Sequence, residues 1–405
     1  MSDTVTTRWT PPWSIARVGL AVRWWQRALL AVALSRVVST GLWFVVIVLA
    51  RRGSRIGLHA SLTNAMAAWD GQWYELVARS GYPATLPLGP DHLVQANAWA
   101  FLPAYPWVAE LLTFGHAGAW PAAAEVLSTA CGFGCAVLLA HLLRPHVGDL
   151  GAQRAVWLFA LSPVAFILQA AYAESMGMLL TLAALCLLDR HRYLLAVLPT
   201  VVLAFTRPGS QALALTIGIH LAARWITAWR ARTPPPGLAA LAGGLLLTVA
   251  TVSGFVWEWI AAAVTGVPNA YLATELAWRT TWTGPGPFVP VVSWIFAADF
   301  WTGRWGPLVF ALIMAGSAAL LLAPSVRRCG LTAWAWTASW WLYLLGVFFP
   351  QTSTFRLLLP TAPAGGAAAG LRPGVFRAVL AGAVALQGLW LYCSFGDWQT
   401  FWSTP

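Results

Sequence analysis

The stretch ALLAVALSRVVSTGLWFVVIVLA at residues 28–50 is a long apolar run, and the sequence WDGQWY follows it at residues 69–74. A run of roughly 20 apolar residues is typical of a membrane-spanning helix. The second stretch places one carboxylate, Asp70, among aromatic side chains in the first long loop after that span. These two stretches predict a helical membrane protein with chemistry at the membrane surface.

The composition of the whole chain supports a membrane protein. Hydrophobic residues make up 59% of the 405 residues, charged residues make up 9%, and the mean hydropathy is +0.68. A single soluble core cannot hide that much apolar surface. The net charge of +11 comes from arginines that are scattered between apolar runs. It therefore indicates membrane topology and not a nucleic-acid partner.

The apolar runs predict an all-α polytopic bundle with about 11 transmembrane helices, within a range of 9–12. The predicted spans are 28–50, 121–143, 155–170, 173–189, 193–206, 209–223, 238–262, 303–323, 331–349, 357–370 and 375–393. Several of them fall below the length of about 17 residues that a full span needs. This shortness indicates broken or paired half-helices.

The chain divides into a short polar start, two apolar regions and a linker between them. Residues 1–27 are a cytoplasmic segment without a cleavage site, so the first span is predicted to stay as an anchor. Residues 28–232 form the first transmembrane module, whose outer loop 51–120 is predicted to carry amphipathic helices. Residues 233–237, TPPPG, form a cytoplasmic linker. Residues 238–405 form the carboxyl-terminal transmembrane region.

The arginines predict the orientation of the chain, because cytoplasmic loops keep an excess of positive charge. With the amino terminus inside and the segment 99–114 lying on the surface or re-entrant, fifteen arginines fall inside and eight outside. Arg36 lies within the first span, and the outer cluster Arg51, Arg52 and Arg55 is an exception to the rule. This topology brings several polar segments to the outer face, namely 51–120, 263–302, 351–356 and the turns at Tyr172 and Arg207.

The cysteines and acidic residues do not indicate a metal or a disulfide framework. The five cysteines form no CxxC pair, and Cys131 and Cys135 have no histidine or acid at ligand spacing. No DxD-like pair of carboxylates is present to hold a nucleotide diphosphate through a metal. We therefore expect neither a metal nor a cofactor. Since all 24 basic residues are arginine and Ala, Gly, Pro and Trp are plentiful, the source is expected to be a bacterium with a GC-rich genome.

Several polar motifs recur between the apolar runs. Besides Trp69-Asp70, they are Ala100-Phe101-Leu102-Pro103-Ala104-Tyr105-Pro106, Leu161-Ser162-Pro163, Tyr172-Ala173-Glu174-Ser175, Thr206-Arg207-Pro208-Gly209 and Phe355-Arg356. Together they resemble the PIG-V-like family of polyprenyl-phosphate-mannose-dependent mannosyltransferases, which belongs to the GT-C superfamily. Ala173 departs from the family's usual serine. The resemblance covers residues 30 to 225 and, beyond them, only Arg356.

The resemblance implies a GT-C-like helical bundle and an inverting transfer of mannose from polyprenyl-phosphate mannose. The acceptor is a hydroxyl of a glycan, glycolipid or glycoprotein outside the bacterial cytoplasmic membrane. The lipid-linked sugar is then a substrate that needs no cofactor and no metal. Asp70 matches the acidic residue of the first loop that the family uses in catalysis. As a carboxylate partly buried near the lipid boundary, it suits a base that takes a proton from the acceptor.

Ten further residues are predicted to bind substrate. Trp69, Trp73 and Tyr74 supply an apolar surround for the carboxylate, and Arg207 and Arg356 neutralise the donor phosphate with paired hydrogen bonds. Glu174 binds a substrate hydroxyl or an arginine, because a carboxylate at that depth is costly unless it is paired or functional. The remaining predicted contacts are Asp91, His92, Tyr105 and Tyr172.

The residues also allow plainer interpretations. Asp70 could face water from an amphipathic surface helix, Glu174 could be a structural partner of Arg207 or Arg356, and either arginine could extend toward lipid headgroups. Two other functions also stay open. The chain could be a non-catalytic membrane subunit of a glycan assembly complex, or a transporter of lipid or solute, which should show repeated halves with charges at mid-membrane.

Overall fold

The computed structural model describes residues 23–116, 118–233, 237–280, 286 and 288–397. Within these residues the chain is helical, and its one β-type pairing is an isolated bridge between Leu88 and Val94. Six helical segments are long and apolar enough to cross a membrane, namely Trp24–Leu49, Trp120–Ala160, Ser210–Arg230, Gly237–Thr265, Val292–Leu322 and Pro373–Gly396. The prediction of an all-α polytopic membrane protein is confirmed. The number of about 11 spans stays a prediction.

The described residues form sixteen α-helices. In chain order they are α1 (Trp24–Leu49), α2 (Leu62–Met66), α3 (Asp70–Ser80), α4 (Ala104–Leu111), α5 (Trp120–Ala160), α6 (Glu174–Asp189), α7 (Tyr193–Ala204), α8 (Ser210–Arg230), α9 (Gly237–Thr265), α10 (Ala270–Ala277), α11 (Val292–Thr302), α12 (Gly306–Leu322), α13 (Pro324–Arg327), α14 (Leu331–Val347), α15 (Thr354–Leu357) and α16 (Pro373–Leu391). Most of the predicted segment 1–27 and the linker residues 234–236 lie outside the described residues.

Two long helices show how the sequence sets the lengths of the spans. Helix α1 has 26 residues, and at 1.5 Å per residue it is about 39 Å long, more than the roughly 30 Å of a bilayer core. Helix α5 has 41 residues but bends at Gly148, whose φ of 70° is not helical, three residues after Pro145. Proline lacks the backbone N–H that would continue the helix. The segment therefore consists of two helices joined at a kink.

Two predicted spans are not continuous α-helices. In the span 155–170, α5 ends at Ala160 and a short 3₁₀ helix, Ala165–Gln169, follows a turn. The span 357–370 is mainly a 3₁₀ helix, Leu359–Gly370, in a sequence rich in Gly, Ala and Pro. Both segments are shorter than about 17 residues, and their shortness had indicated broken or paired half-helices.

Buried arginines satisfy the carbonyl groups that these irregular segments leave open. The guanidinium of Arg36 donates to the carbonyl oxygens of Ala160 at 3.0 Å and Ala165 at 2.7 Å. Arg154 is buried and donates to three carbonyls at the end of the 3₁₀ helix, those of Ala368, Ala369 and Leu371. Irregular backbone at membrane depth is tolerated where protein groups satisfy it.

The predicted outer loops contain helices of their own. Helices α2, α3 and α4 lie in the loop 51–120, as predicted. Helix α4 has 8 residues, so it is about 12 Å long and too short to cross a bilayer. The loop 263–302 also holds helices, α10 and α11. Helix α11 meets α12 at a tight turn, where a Cβ at Gly306 would lie 2.6 Å from the backbone of Asp299.

Candidate active site

Two chain segments are tied together beneath Asp70 and Glu174. Asp70 is the first residue of α3 and Glu174 is the first residue of α6. Just before them, the N–H of Ala171 donates to the carbonyl of Met66 at 3.0 Å, and the hydroxyl of Tyr172 donates to the carbonyl of Ala68 at 3.0 Å. These hydrogen bonds hold the amino-terminal ends of α3 and α6 side by side.

The backbone immediately before Asp70 is in an unusual conformation. Trp69 has φ 61°, a left-handed value that costs a residue with a side chain about 1–3 kcal/mol. Its indole N–H donates to the carbonyl of Ser394 at 2.9 Å, which fixes the ring. Gly71 permits close packing behind the carboxylate, because a Cβ there would lie 3.3 Å from the carbonyl oxygen of Ala171. Packing around this turn therefore determines where the Asp70 side chain points.

Four charged residues form a continuous chain of ion pairs. Arg356 Nη1 lies 2.5 Å from Asp70 Oδ2, and Arg356 Nε lies 3.1 Å from Glu174 Oε1. Arg207 Nη1 contacts the same Glu174 oxygen. The Arg356 guanidinium also lies over the Tyr172 ring, 5.6 Å from its centroid. The sequence predicted all five residues as site residues, and the structure brings them together.

This chain of charges is shielded from solvent. The exposed fraction of the side chain is 4% for Glu174, 11% for Arg356, 18% for Arg207 and 22% for Asp70. Two acids balance two arginines, so the formal charge of the group is zero. Burial alone would lower the pKa of Arg356, but the carboxylates of Asp70 and Glu174 outweigh it and raise that pKa. Arg356 therefore stays charged between them.

The pairing leaves one oxygen of Glu174 without a partner. Both arginines approach Oε1, whereas Oε2 is buried and has no hydrogen-bond partner among the described residues. A buried carboxylate oxygen that accepts no hydrogen bond is costly. The structural interpretation of Glu174 as a partner of Arg207 and Arg356 is therefore correct for Oε1. It does not account for Oε2, which is available to accept a hydrogen bond from a ligand.

An apolar pocket adjoins the charged residues. Glu174, Arg207 and Arg356 line it at one place, and the other lining residues are Gly177, Met178, Thr181, Leu203, Pro208, Gly209, Trp336, Trp340, Leu357, Leu359 and Pro360. Thr181 lies seven residues after Glu174 on α6, so the pocket extends about 10 Å along that helix. Asp70 does not line the pocket and meets it through Arg356.

Two tryptophans and two glycines shape the pocket. The indole N–H of Trp336 donates to Pro360 and that of Trp340 to Leu357, each at 2.7 Å, so both polar atoms are satisfied by the pocket's own backbone. Gly209 has φ 127°, and a Cβ there would lie 2.5 Å from the Trp340 ring. A Cβ at Gly177 would lie 3.1 Å from Arg207 Cδ.

The predicted aromatic residues of the first loop lie next to the charges but pack inward. Tyr74 is buried, and burial raises its pKa, with Arg207 opposing the rise. Trp73 stacks on Phe101 at a centroid distance of 5.5 Å and meets the edge of Trp278 at 5.4 Å. These contacts form a wall behind the start of α3. They give Trp73 and Tyr74 a clear role in packing.

Three predicted contacts are not brought to the charged residues. Asp91 and His92 are exposed in the loop before α4, where Asp91 Oδ1 accepts from the N–H of Leu93 at 3.1 Å and forms a local turn. Tyr105 is fully buried, and its hydroxyl contacts Ser128 at 2.8 Å and the carbonyl of Ala124 at 3.0 Å. Tyr105 therefore anchors α4 on α5. In the part of the chain that the structure describes, none of the three contacts Asp70 or Glu174.

One acid close to Arg207 was not predicted from the sequence. Glu275 lies on α10, and burial raises its pKa while Arg279, a hydrogen bond from Tyr271 and Arg207 act in the opposite direction. The ring of Tyr343 lies 5.4 Å from that of Trp340, a pocket residue. The charge of Glu275 also acts electrostatically on the Tyr343 hydroxyl. No motif marks Glu275 in the sequence. Only the folded structure brings Glu275 close to Arg207.

Comparison with known proteins finds a likeness among solved structures. No protein-family model and no curated protein matches the chain. Among solved structures, the chain is similar to ArnT from Cupriavidus metallidurans, which was crystallised bound to undecaprenyl phosphate. The two share 16% sequence identity at a TM-score of 0.47, and the likeness covers 89% of this chain and 75% of ArnT.

Proposed function

We propose that this chain is a GT-C-type membrane glycosyltransferase, which transfers mannose from a polyprenyl-phosphate donor to a hydroxyl of an acceptor outside the cytoplasmic membrane. The observation that carries the proposal is the buried chain of ion pairs from Asp70 through Arg356 and Glu174 to Arg207, set against an apolar pocket. Arginines suit a phosphate, apolar walls suit a polyprenyl chain, and a carboxylate beside them suits a base.

The donor fits the pocket by its chemistry. Its phosphate lies against Arg207 and Arg356, because guanidinium groups bind phosphate oxygens through parallel charge-assisted hydrogen bonds. Its lipid chain extends along the apolar walls at Trp336 and Trp340. A hydroxyl of the sugar donates to Glu174 Oε2, the buried oxygen that has no partner among the described residues.

The transfer itself needs one proton to move. The acceptor oxygen attacks the anomeric carbon while Asp70 takes its proton, and the bond from that carbon to the phosphate oxygen breaks with its electron pair on the phosphate. Attack from the face opposite the phosphate inverts the anomeric centre. Asp70 thereby loses one negative charge and the phosphate gains one. Arg356 contacts Asp70 and lines the pocket, so it can stabilise the charge at both places.

A donor panel tests this proposal. We expect purified protein in nanodiscs to use polyprenyl-phosphate mannose and not GDP-mannose, with extracted cell-envelope lipids and glycans as acceptors. Activity should persist in chelator, because Arg207 and Arg356 supply the positive charge that the leaving phosphate needs. Use of nucleotide sugar alone, or complete loss of activity in chelator, would contradict the proposal. Movement of lipid without any sugar transfer would favour a transporter.

A pair of variants in α3 locates the base. Asp70→Asn should reduce transfer at least about 100-fold, the usual contribution of a general base, while the protein remains folded. Glu75→Gln on the same helix is the matched control, because Glu75 pairs with Arg79 at the surface and should leave transfer unchanged. Asp70→Asn activity within about threefold of the wild type would reject the role of Asp70.

A further inference from the structure

An arginine cluster lies on the surface next to Asp70 and has no part in the site described above. Arg51, Arg52 and Arg55 are exposed in the segment that follows α1, and residues 51–61 contain no acid. None of the three lines the pocket. On the predicted outer face they run against the rule that positive charge stays inside. Topology therefore does not explain them.

Contacts place Arg55, one member of this cluster, beside the proposed base. The guanidinium of Arg55 lies over the Trp69 ring, 4.4 Å from its centroid, and its Nη2 donates to Gln72 Oε1 at 2.6 Å. Trp69 and Gln72 stand on either side of Asp70 in the chain. The N–H of Arg51 donates to the carbonyl of Gly396 at 3.0 Å, which fixes the start of the segment. Arg55 is thus held on the residues around Asp70 instead of extending freely into solvent.

The positive charge of the cluster is not needed to balance the site. Asp70, Arg356, Glu174 and Arg207 are neutral as a group. Asp397, which follows Gly396, adds one negative charge near the segment, against three arginines. An excess of positive charge therefore remains next to Asp70. Such an excess favours a negatively charged ligand.

The position of the cluster indicates where that ligand lies. Arg51 follows the end of α1 at Leu49 by two residues, so the cluster is at the level where a spanning helix leaves the hydrocarbon core. Lipid phosphates lie at this level, and arginines near the membrane surface attract anionic lipids. Guanidinium groups also match phosphate geometry. A lipid phosphate therefore fits this location better than the charged group of a soluble molecule does.

We propose that Arg51, Arg52 and Arg55 bind the phosphate of an anionic lipid acceptor, whose free headgroup hydroxyl reaches Asp70. This inference rests on the proposed function and names the acceptor class for the same site. The donor phosphate occupies the pocket side of Arg356 and the acceptor phosphate occupies the opposite side. The acceptor hydroxyl then lies between the two, next to the carboxylate that takes its proton.

Three acceptors of different charge and size test the proposal in a transfer assay. They are phosphatidylglycerol, which is anionic and has headgroup hydroxyls, diacylglycerol, which is neutral with a free hydroxyl, and glycerol 3-phosphate, which is anionic and soluble. We expect phosphatidylglycerol to be used at least about tenfold better than either of the others, since one charge-assisted contact is worth about a factor of ten or more. Equal use of diacylglycerol, or preference for glycerol 3-phosphate, would overturn the proposal.

Variants separate the cluster from the donor site. The double variant Arg51→Gln/Arg52→Gln leaves the contact of Arg55 with Trp69 intact, so its fold is preserved. It should raise the KM for phosphatidylglycerol about tenfold or more and leave the donor KM unchanged. The matched control is Arg304→Gln, an exposed arginine next to Trp305 at the start of α12. A rise in donor KM alone, or an equal effect of Arg304→Gln, would refute the acceptor role.

A binding measurement distinguishes failure of this inference from failure of the proposed function. Native mass spectrometry of the purified wild type should show retained phosphatidylglycerol, with less retained by the double variant and the wild-type amount by Arg304→Gln. If no acceptor is glycosylated but this binding pattern holds, the proposed function fails and the lipid site stands. If transfer occurs but the double variant retains as much lipid as the wild type, the lipid site is wrong and the proposed function stands.

Discussion

Arg356 donates to Asp70 across 2.5 Å, although the two residues are 286 positions apart in the chain. The carboxylate proposed as the base is therefore paired with a cation that also lines the pocket. A phosphate in the pocket and the Asp70 carboxylate attract the same guanidinium. Binding of the donor should then weaken the hold of Arg356 on Asp70 and make the carboxylate available to the acceptor.

The first prediction concerns the energy of this pair. Arg356→Gln leaves Asp70 and Glu174 short of a cation in a shielded place, and we expect a loss of about 3–5 kcal/mol in the free energy of unfolding. The double variant Asp70→Asn/Arg356→Gln should lose less than the sum of the single variants, because the unpaired carboxylate is removed. Denaturant unfolding in detergent measures the free energy of unfolding of each variant.

The control for this comparison of single and double variants is an exposed ion pair. Arg79→Gln breaks the pair of Arg79 with Glu75, one helical turn apart on α3, whose side chains are 45% and 29% exposed. It should cost less than about 1 kcal/mol. Strict additivity of Asp70→Asn and Arg356→Gln would show that the pair is not coupled.

The second prediction is that Arg207 contributes to binding of the donor and not to binding of the acceptor. Arg207 lines the pocket and contacts Glu174, but it has no ion pair with Asp70 among the described residues. Arg207→Gln should therefore raise the donor KM and leave the acceptor KM nearly unchanged. The rise should correspond to a loss of about 1.5–3 kcal/mol in the free energy of donor binding, the contribution of one charge-assisted contact. Initial rates at varied donor and acceptor concentrations measure both constants. An effect confined to the acceptor KM would remove Arg207 from the donor site.

The sequence was sufficient to predict the class of fold and most members of the charged group. Apolar composition predicted the helices, and the alternation of arginine-rich loops placed the turns at Tyr172, Arg207 and Arg356 on the same side as Asp70. The sequence could not predict the pairing of Asp70 with Arg356, because no local pattern relates residues so far apart. The sequence also selected Asp91 and His92, which lie in an exposed turn away from Asp70 and Glu174.

The irregular backbone in two of the predicted spans has a physical origin. Segments 155–170 and 357–370 are apolar, but both contain irregular backbone whose carbonyl groups are satisfied by Arg36 and Arg154. Hydropathy cannot detect an arginine that binds backbone carbonyls inside the bundle. In the sequence, such an arginine looks the same as a loop residue.

The third prediction concerns the shape of the pocket. Gly209→Ala introduces a Cβ that would lie 2.5 Å from the Trp340 ring, at a backbone φ of 127° that residues with side chains rarely adopt. We expect a loss of about 1–3 kcal/mol in stability and a higher donor KM. Gly346→Ala on α14 is the control, since a Cβ there meets no atom within 4 Å. Equal melting temperatures for the two variants would contradict the strain at Gly209.

The fourth prediction concerns orientation. The predicted outer turns contain Ala173 and Gly209, but both are buried, so labelling needs exposed positions. In a Cys393→Ser background, we expect a cysteine at Ser80 to react with an impermeant reagent from outside the cell. One at Thr233 should react only after the membrane is opened, because both positions are exposed on opposite predicted sides. The reverse result would overturn the assignment of the outer face.

The last prediction concerns pH and Glu275. Burial raises the pKa of Glu275 in the folded protein, in spite of Arg279, Tyr271 and Arg207. The folded state therefore holds this proton more firmly than the unfolded state does. Its contribution to stability is complete below the unfolded pKa of about 4.3 and is lost as the pH rises through the folded pKa.

Glu275→Gln removes this dependence, because the amide does not ionise and keeps an oxygen for the Tyr271 hydroxyl. Near pH 4 the variant and the wild type should have similar melting temperatures, and the variant should become the more stable one as the pH rises toward 8. Thermal unfolding in detergent across this range measures the difference. Glu75→Gln accounts for the loss of a surface carboxylate. If the difference between Glu275→Gln and the wild type stayed constant with pH, ionisation of Glu275 would carry no cost in the folded protein.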